Sequence, residues 1–211
     1  MEQASVKCVL KPLDLHNRED FDELLRQRIV CGWNNELSCL EGWRKAADEG
    51  TSSMFWIIPQ GAAESTATNR PVGHVALESA SNPPDLEIAN PDKSVMTIST
   101  LFILPEHRGG GLARDAVRAI EAYAKLEPYG SPACRTLTLH TLSKRYAEDG
   151  DEWPKIFIRM GLEPPAKGPS VEEWYERMGY VRWKEEPRYR DKLPDGREGL
   201  LLAAFLRKDI S

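Results

Sequence analysis

One stretch of the sequence restricts the fold more than any other, because it joins a strand, a glycine turn and a helix without interruption. Residues Val95–Leu104 are rich in β-branched and aromatic side chains and end at Pro105, which predicts a strand. Three glycines follow at Gly109–Gly111, and Leu112–Lys125 then repeats apolar side chains at helical spacing. The segment therefore predicts a strand–turn–helix unit whose helix begins at a glycine turn.

A glycine turn in front of a helix is suited to binding phosphate. The first turn of a helix carries unpaired N–H groups and the positive end of the helix dipole, and glycines let an anion approach them closely. Two common nucleotide-binding motifs do not fit the sequence. The P-loop is excluded because Ala113-Arg114 stands where it needs Lys-Ser/Thr. Arg114 also replaces the third glycine of the dinucleotide fingerprint. The sequence thus predicts a phosphate cradle of another kind.

The remaining periodicities predict a mixed α/β (α+β type) fold in a single domain over 1–211. Helices are predicted at 18–30, 37–47, 112–125 and 170–178, and strands at 6–15, 54–58, 72–78, 95–104, 135–141, 180–184 (continuing toward 189) and 199–206. A capping box, Ser170 with Glu173, opens the last helix. This order favours a largely antiparallel central sheet of about six or seven strands with about four helices. The charged, Pro/Gly-rich segment 142–169 is an extended excursion.

Composition and charge exclude several classes of function. Lys and Arg number 28 against 33 Asp and Glu, a net charge of −5 that argues against a dedicated nucleic-acid binder. No apolar run approaches the ~20 residues of a membrane span, and no export signal is evident, so the chain is expected to be cytoplasmic or nuclear. The four cysteines form no C-x-x-C pair, which predicts reduced, buried thiols and no metal site. Aromatic and basic residues alternate at Arg182–Lys184 and Arg188–Arg190, which is typical of a solvated hairpin.

The glycine turn and a second motif resemble a known family. Arg108–Ala113 fits the [RQ]-x-x-G-x-[GA] pyrophosphate loop of the GNAT superfamily of acyl-CoA N-acyltransferases, and Leu101–Pro105 resembles the end of that family's fourth strand. Trp174–Tyr180 is similar to the family's last helix, with an aromatic residue, Tyr, and Gly at matching positions. The order of predicted elements matches as well. The resemblance implies a GNAT-like fold and acetyl-CoA as co-substrate, without a metal.

The resemblance also implies where acetyl-CoA would bind. Backbone groups of Leu101, Phe102 and Ile103 would pair with the pantetheine arm as an added strand. The pyrophosphate would be held by backbone N–H groups of the loop and the first helical turn: Gly109, Gly110, Gly111, Leu112, Ala113 and Arg114. Arg108 and Arg114 would add positive charge near the phosphates.

The same motifs nominate residues for the chemistry. Tyr175 is the candidate acid that protonates the departing CoA thiolate, and His140, on a predicted strand, is the candidate base. The glutamate that often serves as base on the family's fourth strand is absent, since Thr97, Ser99 and Thr100 stand there. Alternative bases acting through water are Glu78 and Glu87, and Trp33 is a candidate for the substrate wall. Gly168 stands where the family often has a cofactor-binding Asn.

These features predict an enzyme that moves an acetyl group from acetyl-CoA directly to a primary amine of a small molecule or peptide. No nucleic-acid or membrane partner is expected. The alternative function is a non-catalytic module that binds acyl-CoA or a protein partner. The excursion 142–169 is a candidate for a substrate wall or for a homodimer contact.

Overall fold

The structure, a computed structural model, describes residues 7–60, 70–147, 169–192 and 198–211. Its internal contacts group the chain into two compact units, Met1–Leu137 with Ile210–Ser211 and Thr138–Asp209. Most of the predicted excursion 142–169 lies outside the described residues. The expectation of a single domain over 1–211 stays a prediction.

The first unit contains an antiparallel sheet and three helices. Its strands lie in the order β1-β2-β3-β4, and every adjacent pair is antiparallel. In chain order the elements are β1 (Cys8–Pro12), α1 (Arg18–Cys31), α2 (Leu37–Asp48), β2 (Ser52–Pro59), β3 (Gly73–Glu78), β4 (Val95–Ile103) and α3 (Leu112–Tyr123).

The second unit contains a hairpin, a third strand and a short helix. The elements are β5 (Thr136–Leu142), which begins in the last residues of the first unit, α4 (Val171–Glu176), β6 (Val181–Lys192) and β7 (Glu198–Asp209). The strands lie in the order β5-β7-β6, and β6 and β7 are antiparallel. β6 extends to Lys192, beyond the predicted continuation toward Tyr189.

The predicted mixed α/β class is confirmed, because the described residues form seven strands, most of them antiparallel, and four α-helices. β1 is shorter than predicted and ends at Pro12, although Leu13 and Leu15 beyond it remain buried. No helix in the described part of the chain has the length and apolar character to cross a membrane. All four cysteines are free, but only Cys8 and Cys134 are buried.

The core of the first unit lies on both faces of β2. Met54, Trp56 and Ile58 pack into one cluster with Leu24 of α1 and Leu40 of α2. The alternate residue Phe55 instead contacts Tyr123 at the end of α3, with ring centroids 5.3 Å apart. Successive side chains of a strand point to opposite faces, so α1 and α2 cover one face and α3 covers the other. The continuous apolar run of β2 follows from this double burial.

Candidate active site

The glycine turn of the first unit forms the loop that the sequence predicts. A 3₁₀ turn at Pro105–His107 leads into Arg108, which is extended, and Gly109 and Gly111 have φ angles of 81° and 89°. This left-handed backbone favours glycine, because a Cβ is crowded there. α3 begins directly after Gly111, and no side chain of a described residue caps its N-terminus. Within those residues the N–H groups of the first helical turn therefore lack a side-chain partner, as an anion site requires.

The loop surface is open, and a cation lies beside it. A Cβ built on Gly109 or Gly110 would meet no atom within 4 Å. A Cβ on Gly111 would lie 3.3 Å from Lys7 Nζ, which donates a hydrogen bond to Gly110 O at 2.8 Å. The backbone N–H of Lys7 donates to Asp115 Oδ2 at 3.0 Å. Sequence reasoning missed Lys7, because it is 103 residues from Gly110 and belongs to no local pattern.

The two arginines of the loop motif lie in different environments. Arg108 Nε donates a hydrogen bond to Ile103 O at 2.9 Å, and its guanidinium lies 5.5 Å from the centre of the Phe102 ring. These contacts brace the loop against the end of β4, a role that the sequence did not indicate. Arg114 is exposed in the first turn of α3. Contact between either arginine and a phosphate stays a prediction.

β4 is irregular where Ser99 and Thr100 lie. His74 and Ala76 on β3 are two residues apart, whereas their partners on β4, Phe102 and Ser99, are three residues apart. β4 therefore contains one extra residue, which is a β-bulge. Thr100 adopts a left-handed φ of 53°, which is strained for a β-branched residue. Bulges of this kind change the direction of side chains and interrupt strand pairing.

The bulge leaves a half-buried polar stretch in the middle of β4. Ser99, Thr100 and Leu101 are half-buried, with fully buried residues on either side. Within the described residues, Ser99 Oγ and Thr100 Oγ1 are buried and have no hydrogen-bond partner. Buried hydroxyls are normally paired, so this stretch is suited to the polar groups of a ligand. Pairing of a pantetheine arm with Leu101, Phe102 and Ile103 stays a prediction.

One carboxyl beside this stretch titrates near neutrality. Glu78 ends β3 opposite Thr97, and Ser52 Oγ donates a hydrogen bond to its Oε1 at 3.4 Å. Burial raises the pKa of Glu78 to about 7, and the neighbouring hydroxyls of Ser99 and Ser52 offset part of the rise. Ser99 lies near the carboxylate, although its hydroxyl does not meet the geometry of a hydrogen bond. A carboxyl with this pKa can take up and release a proton at pH 7.

The candidate base His140 lies on β5 in the second unit. Its Nδ1 is 2.8 Å from the hydroxyl of Tyr189. Burial lowers the pKa of His140 to about 4; the charge of Arg188 lowers it further, and Glu186 acts in the opposite direction. The imidazole is therefore neutral at pH 7, and it is a weak base.

The candidate acid Tyr175 is buried in α4. Its ring makes edge contacts with Trp174 and Tyr180, whose ring centroids lie 4.7 and 5.7 Å away. Burial raises the pKa of the Tyr175 hydroxyl well above its ordinary value, so the phenol stays protonated at neutral pH. The predicted capping box is confirmed: Glu173 N–H donates to Ser170 Oγ at 3.1 Å, and Ser170 N–H donates to Glu173 Oε2 at 2.7 Å.

The second unit brings three titratable side chains together. Tyr189 on β6 is hydrogen bonded to His140 and interacts electrostatically with Tyr175. Burial raises the pKa of Tyr189 as well. No sequence signal marks Tyr189, because its alternation with basic residues is also typical of a solvated hairpin.

The other sequence candidates lie in loops of the first unit. Trp33 is 40% exposed in the connection between α1 and α2, and its carbonyl oxygen accepts a hydrogen bond from Arg28 Nη2. Glu87 is exposed in the loop between β3 and β4. In the described ranges, no three His, Cys, Asp or Glu side chains are grouped so that they could hold a metal ion.

The model of one known protein family matches more than half of the chain. Residues 18–147 match a family model described as the acetyltransferase (GNAT) family. This range contains α1 through β5, including the glycine loop and the bulged β4. No curated protein gives a significant match to the sequence.

Several solved structures share the fold at low sequence identity. Arabidopsis thaliana NAA60 in complex with acetyl-CoA is 14% identical, with a TM-score of 0.58 over 96% of this chain and 98% of that chain. An aminoglycoside 6'-N-acetyltransferase complexed with coenzyme A is 13% identical, with a TM-score of 0.58 over 96% and 97% of the two chains. The loading GNATL domain of CurA from Lyngbya majuscula is 17% identical, with a TM-score of 0.61 over 96% and 98%.

The raised pKa of Glu78 predicts a pH-dependent difference in stability between the wild type and Glu78→Gln. Folded Glu78 holds its proton more tightly than the unfolded chain, so ionising it costs stability as the pH rises from the ordinary value of 4.5 to about 7. The free energy of unfolding of Glu78→Gln should equal that of the wild type at pH 4 and exceed it by up to about 3 kcal/mol at pH 8. Urea denaturation at both pH values measures this, with the exposed Glu87→Gln as control. An equal difference at pH 4 and pH 8 would contradict the raised pKa.

Proposed function

Because the chain belongs to the GNAT family of acetyltransferases, we propose that it transfers the acetyl group of acetyl-CoA to a primary amine of a small molecule or peptide. The observation that carries the proposal is the open glycine loop between β4 and α3, which ends in an uncapped helix N-terminus. The similar folds of Arabidopsis thaliana NAA60, bound to acetyl-CoA, and of the aminoglycoside acetyltransferase, bound to coenzyme A, support this choice of donor.

The loop residues fit the pyrophosphate of acetyl-CoA. Gly109 and Gly110 leave room for it, since even an added Cβ would meet nothing within 4 Å. The free N–H groups and the positive dipole end of α3 favour a doubly charged anion. Lys7 adds an ammonium at the loop. In this proposal the backbone of Leu101–Ile103 holds the pantetheine arm.

Gly110→Glu should abolish tight binding of acetyl-CoA without unfolding the protein. The position has open space and no left-handed backbone, so the side chain fits, but its carboxylate lies where the phosphates bind. Like charges about 4 Å apart near a protein surface repel by roughly 4 kcal/mol, which corresponds to a Kd raised about 10²- to 10³-fold. Isothermal titration calorimetry measures the Kd, and Gly110→Ala is the matched control. An unchanged Kd for Gly110→Glu would mean that the phosphates bind elsewhere.

The chemistry needs a proton donor for the departing sulfur. Acetyl-CoA supplies a thioester whose sulfur leaves as a thiolate when the amine attacks, and no covalent enzyme intermediate is required. Tyr175 gives its phenolic proton to this sulfur in the proposed mechanism. Burial supports that role, because the raised pKa keeps the phenol protonated at working pH.

Tyr175→Phe should lower turnover while acetyl-CoA still binds. The ring contacts with Trp174 and Tyr180 remain, and only the hydroxyl is lost. General-acid assistance contributes about 10²- to 10⁴-fold, so kcat should fall within that range. Steady-state kinetics with calorimetric binding of acetyl-CoA separates the two effects. Tyr129→Phe, which removes a hydroxyl from the first unit, serves as control, and a wild-type kcat for Tyr175→Phe would refute the acid role.

Two groups are proposed for removing the proton of the attacking amine. The pKa of Glu78 is about 7 and that of His140 is about 4, in both cases chiefly through burial. A base is most effective when its pKa lies near the working pH. This comparison favours Glu78, acting directly or through water, over His140.

The pH dependence of kcat/KM distinguishes the two bases. A base works only when deprotonated, so kcat/KM should fall about tenfold per pH unit below its pKa. If Glu78 is the base, the acidic limb lies near pH 7, disappears in Glu78→Gln and persists in His140→Ala. Ionisation of the acceptor amine adds a limb that all variants share. A limb near pH 4 that only His140→Ala removes would assign the role to His140.

A screen of primary amines for release of the CoA thiol tests the function as a whole. Polyamines, aminoglycosides, free amino acids and peptides with a free N-terminus or lysine represent the open acceptor classes. Release of CoA together with an acetylated product would support the proposal. Tight binding of acetyl-CoA without release by any amine would favour a non-catalytic acyl-CoA-binding module. A cytoplasmic location and a homodimer stay predictions.

A further inference from the structure

Within the described part of the chain, a buried arginine of the first unit has no carboxylate partner. Arg28 lies on α1 and is only 3% exposed. Its Nη1 is 3.4 Å from His74 Nε2, its Nη2 donates to the carbonyl oxygen of Trp33, and its guanidinium lies 5.5 Å from the centre of the Trp43 ring. Every one of these partners is neutral or, in the case of the histidine, held neutral by its surroundings.

His74 is kept uncharged by burial. Burial lowers its pKa to about 3, and the charge of Arg28 lowers it further. Its Nδ1 is 2.9 Å from Gln27 Oε1, which can only accept, so Nδ1 carries the proton and Nε2 faces Arg28 as an acceptor. Gln27 is fixed in turn, because its Nε2 donates to Glu23 Oε1 at 2.8 Å and to Pro71 O at 3.2 Å. The guanidinium therefore contacts a neutral imidazole, which is positioned by Gln27 and, through Gln27, by the carboxylate of Glu23.

One donor of the guanidinium remains unused. Arg28 Nε is buried and has no hydrogen-bond partner among the residues that the structure describes. Burial lowers the pKa of the Arg28 guanidinium, and the groups that oppose this shift electrostatically are the thiols of Cys31 and Cys39. Buried charges in proteins are normally paired, since an uncompensated one costs several kcal/mol. A structural role in fixing Trp33 would explain the hydrogen bond of Nη2. It would not explain why Nε is unpaired, or why no described residue supplies a counter-ion.

The position of Arg28 places this charge next to the surface. Trp33 and Cys31, at the end of α1 and in the connection that follows, are partly exposed. Pairing with an anion would give Nε the hydrogen-bond partner that the described residues do not supply. The planar guanidinium matches a carboxylate well, and hydrogen bonds between two charged groups are stronger than neutral ones.

We propose that Arg28 is the receptor for a carboxylate of the acceptor, so that the favoured acceptors are amines that also carry a carboxylate, such as amino acids. This proposal rests on the proposed acetyltransferase function for its kinetic consequences. The carboxylate site itself does not depend on that function.

The first experiment measures binding without catalysis. In protein labelled with ¹⁵N-arginine, the Arg28 Nε–H signal is assigned by its loss in Arg28→Lys. Propionate should shift this signal, whereas propionamide, which has the same shape without the charge, should not. Arg26, which is exposed and paired with Glu23, provides the internal control signal. The proposal is overturned if propionate leaves the signal in place or if both probes shift it equally. A shift with inorganic phosphate but not with propionate would refute the choice of a carboxylate as the ligand.

The second experiment uses pairs of acceptors, each an α-amino acid and its carboxamide, beginning with leucine and leucinamide. In Arg28→Gln the ratio of kcat/KM for acid over amide should fall about 10- to 100-fold, as expected for a lost hydrogen bond between charged groups. Comparing this ratio between proteins cancels the difference in amine basicity, and Arg18→Gln, which changes an exposed arginine of the same helix, is the matched control. An unchanged ratio overturns the proposal. If no amine is acetylated but propionate still shifts Arg28, the proposed function fails and the carboxylate site stands.

Discussion

The left-handed backbone at Gly109 and Gly111 is the constraint on which the rest of the candidate site depends. It turns the chain from β4 into α3 and puts a glycine, which has no side chain, at the N-cap of the helix. Among the described residues no side chain caps α3, so its first N–H groups stay available to an anion. Two side chains then hold the turn in place: Arg108 binds the carbonyl of Ile103 at the end of β4, and Lys7 binds the carbonyl of Gly110. These two hydrogen bonds fix the position of a loop whose backbone requires glycine at both Gly109 and Gly111.

Burial sets the proton states of the candidate catalytic groups, and its effect depends on which form is charged. Glu78 and Tyr175 are charged when deprotonated, so burial raises the pKa of both. His140 is charged when protonated, so burial lowers its pKa. One physical cause therefore leaves a phenol that can donate a proton, a carboxyl that exchanges one near pH 7 and an imidazole that stays neutral. These proton states support the proposed division of roles between Tyr175 and Glu78.

One buried charge in each unit can be compared by the charges of its partners. In the second unit the fully buried Glu172 accepts a hydrogen bond from the Lys144 N–H at 2.6 Å and pairs with Arg182 at 3.4 Å. In the first unit the partners of the buried Arg28 among the described residues are neutral, and they include His74. A charge already compensated by its own chain needs no ligand, whereas an uncompensated one is stabilised when an anion binds. This contrast supports the carboxylate site proposed at Arg28.

The sequence by itself determined the features that depend on neighbouring residues: the strand–glycine–helix unit at Gly109–Gly111, the capping box that opens α4, and the element order behind the mixed α/β fold. Such features follow from local backbone preferences and side-chain periodicity. Only the tertiary structure decided that Lys7 lies at the loop, that the pKa of Glu78 is raised to about 7 and that Arg28 Nε has no hydrogen-bond partner in the described ranges. Each of these facts depends on residues far apart in the chain, and burial and electrostatic environment exist only once the chain has folded.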